Sequence, residues 1–273
     1  MSTTTPVIAL DHPAALDAAR VGRKAANLAA ARAAGLPVGP GVVLTTDWAT
    51  GDSRTVDQVW RITSHDGARP LAVRPSGAGR DRRRAEATGA IEPPTVVHDL
   101  ESTRAAVAAL RADDETTPVL LQPHAPGSWQ GVLFADDRGH ALGATSLVVV
   151  RPVHGTDGDE WVAELDHAGR VRDVLTADPT SGPPAEILTR LARLAQRVDV
   201  AFDGPHDIEW SADADGRVQL LRIRPVVRVR ATPDNRAGRP TATARGAQRA
   251  RRRHAAHSGS SLIGAHSADE SAA

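Results

Sequence analysis

Cysteine is absent from the 273 residues, which removes disulfides, thiolate metal sites and cysteine nucleophiles from consideration at once. Aromatic residues make up only 3% of the chain, so little is available for stacking against nucleic-acid bases. No run of about 18 apolar residues occurs, and no membrane span is expected. Met1 to Pro6 has neither the basic nor the apolar region of a secretory signal, so the expected location is the cytoplasm. Formal net charge is zero, and the chain as a whole does not advertise a polyanionic partner. Lysine is almost missing: of 33 basic residues, all but Lys24 are arginine. Abundant Ala, Gly and Pro accompany this exchange, as under a GC-rich coding bias, and a lysine retained against it marks a position to inspect.

What is present suits a folded protein. Hydrophobic residues are 41% and charged residues 24% of the chain, ordinary values for a globular domain. The length suffices for one large domain or two small ones with a sizeable core. Val7 to Leu10 reads as a short strand. An alanine-rich helix over Arg23 to Ala34 follows, stopped by Gly35 and Pro37. Leu71 to Arg74 reads as a strand running into a Gly- and Arg-rich loop from Pro75 to Arg84. A helix near Thr103 to Arg111 has Ser102 as its expected cap. From Pro118 the pattern turns to strands, at Val119 to Gln122, Gly131 to Ala135, Ser146 to Arg151 and Glu160 to Leu165. Ile187, Leu188, Leu191, Leu194 and Val198 share one face of a helix over Glu186 to Val198. A hairpin then joins His206 to Ser211 with Arg217 to Ile223 through Asp213-Ala-Asp-Gly216.

Beyond Pro225 the pattern is lost. Arg228 to Arg253 holds nine arginines, one acidic residue and almost no large apolar side chain. Such a segment cannot bury enough surface to offset chain entropy, so 228–273 is expected to be a disordered tail.

Four segments carry possible chemistry. In Val21-Gly-Arg-Lys24, a glycine ahead of a helix start lets backbone amides approach an anion, and Lys24 in that turn reaches a phosphate; the alternative is a solvated surface lysine. No P-loop pattern is present. Leu71-Ala-Val-Arg74 delivers one guanidinium from a strand end, suited to bidentate phosphate recognition or simply solvated. Val119-Leu-Leu-Gln-Pro-His124 offers a purine-edge hinge, or else only a core strand. In the hairpin, strand alternation places Asp207 and Glu209 on one face with Arg222 and Arg224 across from them. Carboxylates opposite arginines form either structural salt bridges or a site for metal and phosphate together.

These segments, in this order over about residues 7 to 227, resemble the ATP-grasp domain of the phosphoenolpyruvate synthase, pyruvate phosphate dikinase and rifampicin phosphotransferase group. The closing pair, Asp207-Ile-Glu-Trp210 with Leu221-Arg-Ile-Arg-Pro225, is the most specific part of the match. The resemblance implies an α+β ATP-grasp fold of two subdomains, 1–117 and 118–227, with a nucleotide cleft between them. It implies that Lys24 and Arg74 hold ATP phosphates and that Gln122 and His124 edge the adenine. Glu209 would face magnesium, and Arg224 would stabilise the transferred phosphoryl group as a permanent cation. Lys24, Arg74 and Arg224 are therefore the expected catalytic residues. A carrier histidine on a separately encoded domain would be the acceptor, because the chain contains no counterpart of that histidine's segment.

Departures from the group's pattern are equally specific. Arg222 occupies the position of a glutamine that helps bind the metal, and a guanidinium has no lone pair to offer one. It is expected to pair with Glu209 and repel magnesium. Gln219 is not expected to take that glutamine's place, because it lies at the opposite strand parity from Arg224. Arg80-Asp81 stands for a Glu-Asp, Arg23 for the second glycine of the lysine motif, and Glu86-Ala-Thr-Gly89 for Ser-x-Ala-Gly. A catalytically impaired nucleotide-binding or regulatory protein is thus a rival to an active kinase. A third reading makes the arginine-rich 228–253 a nucleic-acid binder, although that segment contains no aromatic residue.

Overall fold

The computed structural model describes residues 5–49, 51–77, 94–112, 114–124, 127–136, 145–151, 160–175, 182–202 and 206–225. The expected disordered tail, 228–273, lies outside these residues, as does most of the loop expected over Pro75 to Arg84. Arg80, Asp81, Glu86, Gly89 and Glu92 lie outside them too.

Two antiparallel sheets organise the chain. The first comprises β1 (Val7–Ala9), β2 (Val42–Leu44), β3 (Leu71–Pro75), β4 (Thr95–Val97) and β5 (Val119–Pro123), in the order β1-β2-β5-β3-β4. The second comprises β6 (Trp129–Asp136), β7 (Thr145–Arg151), β8 (Trp161–Leu165), β9 (Val171–Val174), β10 (His206–Ala212) and β11 (Val218–Pro225), in the order β11-β10-β6-β7-β8-β9. Among the described residues the helices are α1 (Ala18–Ala33), α2 (Ser53–Ser64), α3 (Leu100–Arg111) and α4 (Ala185–Ala201), with a 3-10 turn at Pro13–Leu16. β5 pairs with both β2 and β3, which makes residues 119–123 the central strand of the first sheet.

The apolar run at Val119 to Leu121 is continuous because β5 is covered on both faces. Val119 and Leu121 pack with Val56 and Val59 of α2 and Val107 of α3. Leu120 faces the other way, into a larger core that also holds Val21, Ala25 and Leu28 of α1. Leu188, Leu191 and Val198 of α4 join that core, as do Ile208 and Trp210 of β10 and Ile223 of β11. α1 therefore lies between the two sheets, and its small residues Ala25 and Ala29 let it approach closely. Each large aliphatic side chain fully withdrawn from water contributes about 1.5–3 kcal/mol, so the larger core, which takes residues from both sheets, holds them together.

Local chemistry explains most element ends, with two adjustments to expectation. α3 begins at Leu100, capped by Asp99, whose Oδ1 accepts the Ser102 N–H at 2.7 Å. Ser102, the expected cap, is instead the third helical residue of a capping box and accepts the Asp99 N–H at 3.3 Å. α1 begins earlier than expected, at Ala18 under an Asp17 cap, but is broken at Gly22, where φ is 79° and ψ is 157°. The regular helix resumes at Arg23, the expected start. α4 spans the expected helix, with its five periodic apolar residues all buried. At the hairpin turn, the Gly216 N–H bonds Asp213 O at 2.9 Å.

Candidate site where the two sheets meet

The break in α1 builds the first wall of the site. Gly22 sits in a backbone region open essentially to glycine alone, and it leaves the amides of the next turn without a preceding cap side chain. Ser76, just beyond β3, supplies that cap from another part of the chain: its Oγ accepts the Ala25 N–H at 2.9 Å. The approach is so close that a Cβ on Gly22 would lie 2.1 Å from Ser76 O. Lys24 lies in the turn between these contacts and is half-buried. Arg74 leaves the same β3 end and is only 8% exposed.

β11 forms the opposite wall. Asn27 of α1 donates to Ile223 O at 3.0 Å, and Arg74 Nη1 lies 3.5 Å from Leu221 O. Arg222, between those two carbonyls, shares its face of the hairpin with Arg224. The register sets Asp207 opposite Arg224 and Glu209 opposite Arg222, as alternation predicted. Glu209 Oε1 and Arg222 Nη1 are 3.1 Å apart, with both side chains about nine-tenths buried. Asp207 Oδ2 receives Nε and Nη2 of Arg224 at 2.7 and 2.5 Å. Burial pushes the Asp207 carboxyl above the usual carboxylate range, with the Arg224 cation opposing that shift. Arg224 keeps a third of its side chain exposed, whereas Arg222 does not.

A bulge alters the parity expected for Gln219. Glu209 pairs with Arg222 but Trp210 pairs with Leu220, so Leu221 is the extra residue and alternation resets beyond it. Gln219 consequently pairs with Ser211, on the face of Asp207 and Glu209, and the parity argument against it fails. Its amide lies where a side chain on Gly39 would be, with Nε2 2.3 Å from the position of a Cβ there.

The remaining expected residues stand on β5 beside β3. Gln122 pairs with Ala72, is 6% exposed, and donates to Pro40 O at 3.4 Å. His124 donates its backbone N–H to Pro70 O at 2.8 Å. Burial, then the cations Arg74 and His98, hold its imidazole below the usual histidine range.

Lys24, Arg74 and the β10–β11 hairpin are thus tied to one junction by Ser76 and Asn27, two residues to which the sequence gave no role. The donor set there suits anions better than a divalent cation. Both carboxylates are engaged by guanidinium groups, and among the described residues no group of three or more His, Asp or Glu could hold a metal ion. Magnesium seeks oxygen ligands in octahedral array, and an arginine in place of a ligand offers none. At Glu209, which the resemblance assigns to magnesium, the neighbouring position thus holds a guanidinium and not a second oxygen ligand. The arginine-rich segment 228–253 lies outside the described residues. Among the described residues no helix is long and apolar enough to cross a membrane.

No protein-family model matches the chain, and no curated protein matches it. Solved structures do. D-alanyl-alanine synthetase A of Vibrio cholerae is 15% identical over 75% of this chain and 55% of that one, with a TM-score of 0.47. N5-carboxyaminoimidazole synthase of Aspergillus clavatus, in complex with ADP and 5-aminoimidazole ribonucleotide, is 14% identical over 74% and 44%, with a TM-score of 0.49. The ATP-grasp ligase PsnB is 15% identical over 81% and 56%, with a TM-score of 0.42. The chain spans about half the length of these proteins. The α+β class read from the sequence is the class observed, with the described strands in two antiparallel sheets.

Proposed function

We propose that the junction binds ATP, and that the chain is the nucleotide-binding unit of a phosphotransferase of the phosphoenolpyruvate synthase and pyruvate phosphate dikinase type. The observation that carries this reading is the junction itself. Hydrogen bonds from Ala25 to Ser76 and from Asn27 to Ile223, the latter spanning 196 residues of sequence, join α1, β3 and β11, the elements that carry Lys24, Arg74, Arg222 and Arg224. Guanidinium and ammonium groups are the donors that a triphosphate's oxygens require.

In this reading Lys24 and the amides after Gly22 hold the phosphate chain, with Arg74 fixing it from β3. Gln122 and His124 line the side toward the base. Arg224, held by Asp207 yet partly exposed, neutralises charge on the phosphoryl group in flight. A phosphoryl group of ATP passes to an imidazole nitrogen of a carrier histidine on a separate domain, the imidazole releases its proton, and the remainder of the nucleotide leaves.

One observation favours a second reading, a catalytically impaired nucleotide-binding protein: the Arg222–Glu209 pair occupies the carboxylate that the resemblance assigns to magnesium. Calorimetry with ATP tests the common premise. Binding is expected, with Lys24→Ala and Arg74→Ala each weakening it about tenfold or more; no heat at millimolar ATP would reject both readings. ATP turnover on addition of a histidine-bearing partner domain supports the first, and tight binding without turnover supports the second.

A further inference from the structure

We propose that residues 35–41 form a strap that locks the two sheets into one body, so that nucleotide enters without β5 and β11 parting. The lock concerns the fold alone, whereas the mode of entry rests on the nucleotide reading above. Gly35 and Pro37, which end α1, open the segment Gly35-Leu-Pro-Val-Gly-Pro-Gly41. The carbonyls of Gly35, Pro37, Val38, Pro40 and Gly41 each accept a hydrogen bond from a different part of the fold. Arg197 Nη2 of α4 donates to Gly35 O, and the Leu220 N–H of β11 donates to Pro37 O at 2.8 Å. Arg32 Nη1 of α1 donates to Val38 O at 2.8 Å, and Gln122 Nε2 of β5 to Pro40 O at 3.4 Å. The Leu10 N–H, just after β1, donates to Gly41 O at 2.9 Å. One short segment therefore bonds both sheets.

Packing leaves the strap little slack. Leu36 and Val38 are buried in the larger core, and Pro37 and Pro40 each fix their own φ. The two inner glycines let the backbone lie flat between the walls. A Cβ on Gly39 would fall on the Gln219 amide of β11, and one on Gly41 would lie 2.8 Å from Gln122 Cγ of β5. Moving β11 away from β5 has to break the bond at Pro37 or the bond at Pro40 and draw Leu36 and Val38 out of the core. The bonds from Asn27 to Ile223 O and from Arg74 to Leu221 O resist the same motion.

The chain has no cysteine, so a single engineered disulfide has no competing thiol. Gly39→Cys/Gln219→Cys puts two thiols where the strap and β11 meet, and oxidation ties β11 to the segment that runs directly into β2. ATP titrations of this full-length double variant, oxidised and reduced, compare a strap that cannot open with one that is free to. Dissociation constants within about threefold of each other are expected. Binding weakened about tenfold or more by oxidation, and restored by dithiothreitol, would show that the sheets part and would overturn the mode of entry. Hydrogen exchange of the wild type in graded denaturant, without nucleotide, tests the lock. The Leu220 N–H is expected to exchange only through global unfolding, together with the core amides of Leu121 and Ile208. Its exchange through a smaller opening that leaves those two protected overturns the strap. Where the double variant does not fold or oxidise, the exchange measurement decides. Failure of the wild type to bind ATP removes the nucleotide reading, and exchange still decides whether the sheets are locked.

Discussion

Arg222 and Glu209 face each other directly across the last hairpin, 3.1 Å apart and almost wholly withdrawn from solvent. A buried pair of this kind adds modest net stability, because desolvation opposes attraction, yet removing one partner leaves an uncompensated charge. Arg222→Gln alone should therefore cost about 3–5 kcal/mol, and the Glu209→Gln/Arg222→Gln double variant much less than the two single costs added together. Urea unfolding of the four proteins measures the coupling. Additive costs would mean that the two groups do not sense each other.

Gly22 and Ser76 make a second pairing, in which backbone conformation and packing reinforce one another. Alanine at Gly22 has to adopt a conformation that costs about 1–3 kcal/mol for residues with a side chain. Its Cβ would also meet Ser76 O at 2.1 Å, so β3 or α1 has to move. Ser76→Ala removes only the cap on Ala25, worth about 1 kcal/mol. Gly22→Ala is thus expected to be the more destabilising change, and both should weaken ATP binding. Equal unfolding midpoints for Gly22→Ala and the wild type would show that α1 does not need this break.

The contrast between these two relationships marks what the sequence could disclose. Glu209 and Arg222 were legible because strand alternation and a four-residue turn fix which side chains oppose each other. α4 was legible through five apolar residues at helical spacing. The Ser76 cap was not, because it joins residues 51 apart and no local rule relates a serine after one strand to an amide in a distant helix. Gln219 was misplaced because parity assumes an unbroken ladder, and the bulge at Leu221 has no glycine to announce it. β2 and β4, three residues each, are too short to display a period. α2 was accessible in principle: Asp52 caps it, and Val56 and Val59 are buried at helical spacing.

His124 gives the fold a dependence on acid. Its imidazole titrates below the usual 6.5 in the folded chain because it is buried and faces the cations Arg74 and His98. Above that ordinary value the ring is neutral in both folded and unfolded chains, and it contributes no pH dependence. As the pH falls through it, the unfolded chain takes up the proton first, so stability is lost until the folded-state value is passed. His124→Gln should accordingly lose less stability than the wild type between about pH 7.5 and about pH 5.5, measured by urea midpoints. Parallel losses in the two proteins would refute this assignment.

Arg111 is the strongest test of how the first half is held together. It is 1% exposed, at the end of α3, and its guanidinium is bound by carbonyls. Nε donates to Thr117 O at 2.9 Å, Nη1 to Trp48 O at 2.6 Å and Nη2 to Thr45 O at 2.6 Å. The guanidinium carbon also lies 4.6 Å from the centre of the Trp48 ring. One side chain thereby joins the loop after β2, the loop before β5 and the end of α3. Burial lowers its proton affinity, but an arginine stays charged at any ordinary pH. Methionine matches its length and apolar stem but supplies no donor, so Arg111→Met strands three buried carbonyl groups at about 1–3 kcal/mol each. The expected loss is therefore at least about 3 kcal/mol. Arg111→Lys, which keeps a cation but not the fork, should recover only part of it. Thermal unfolding of both variants decides the matter: a methionine variant as stable as the wild type would show that water or backbone rearrangement satisfies those carbonyls.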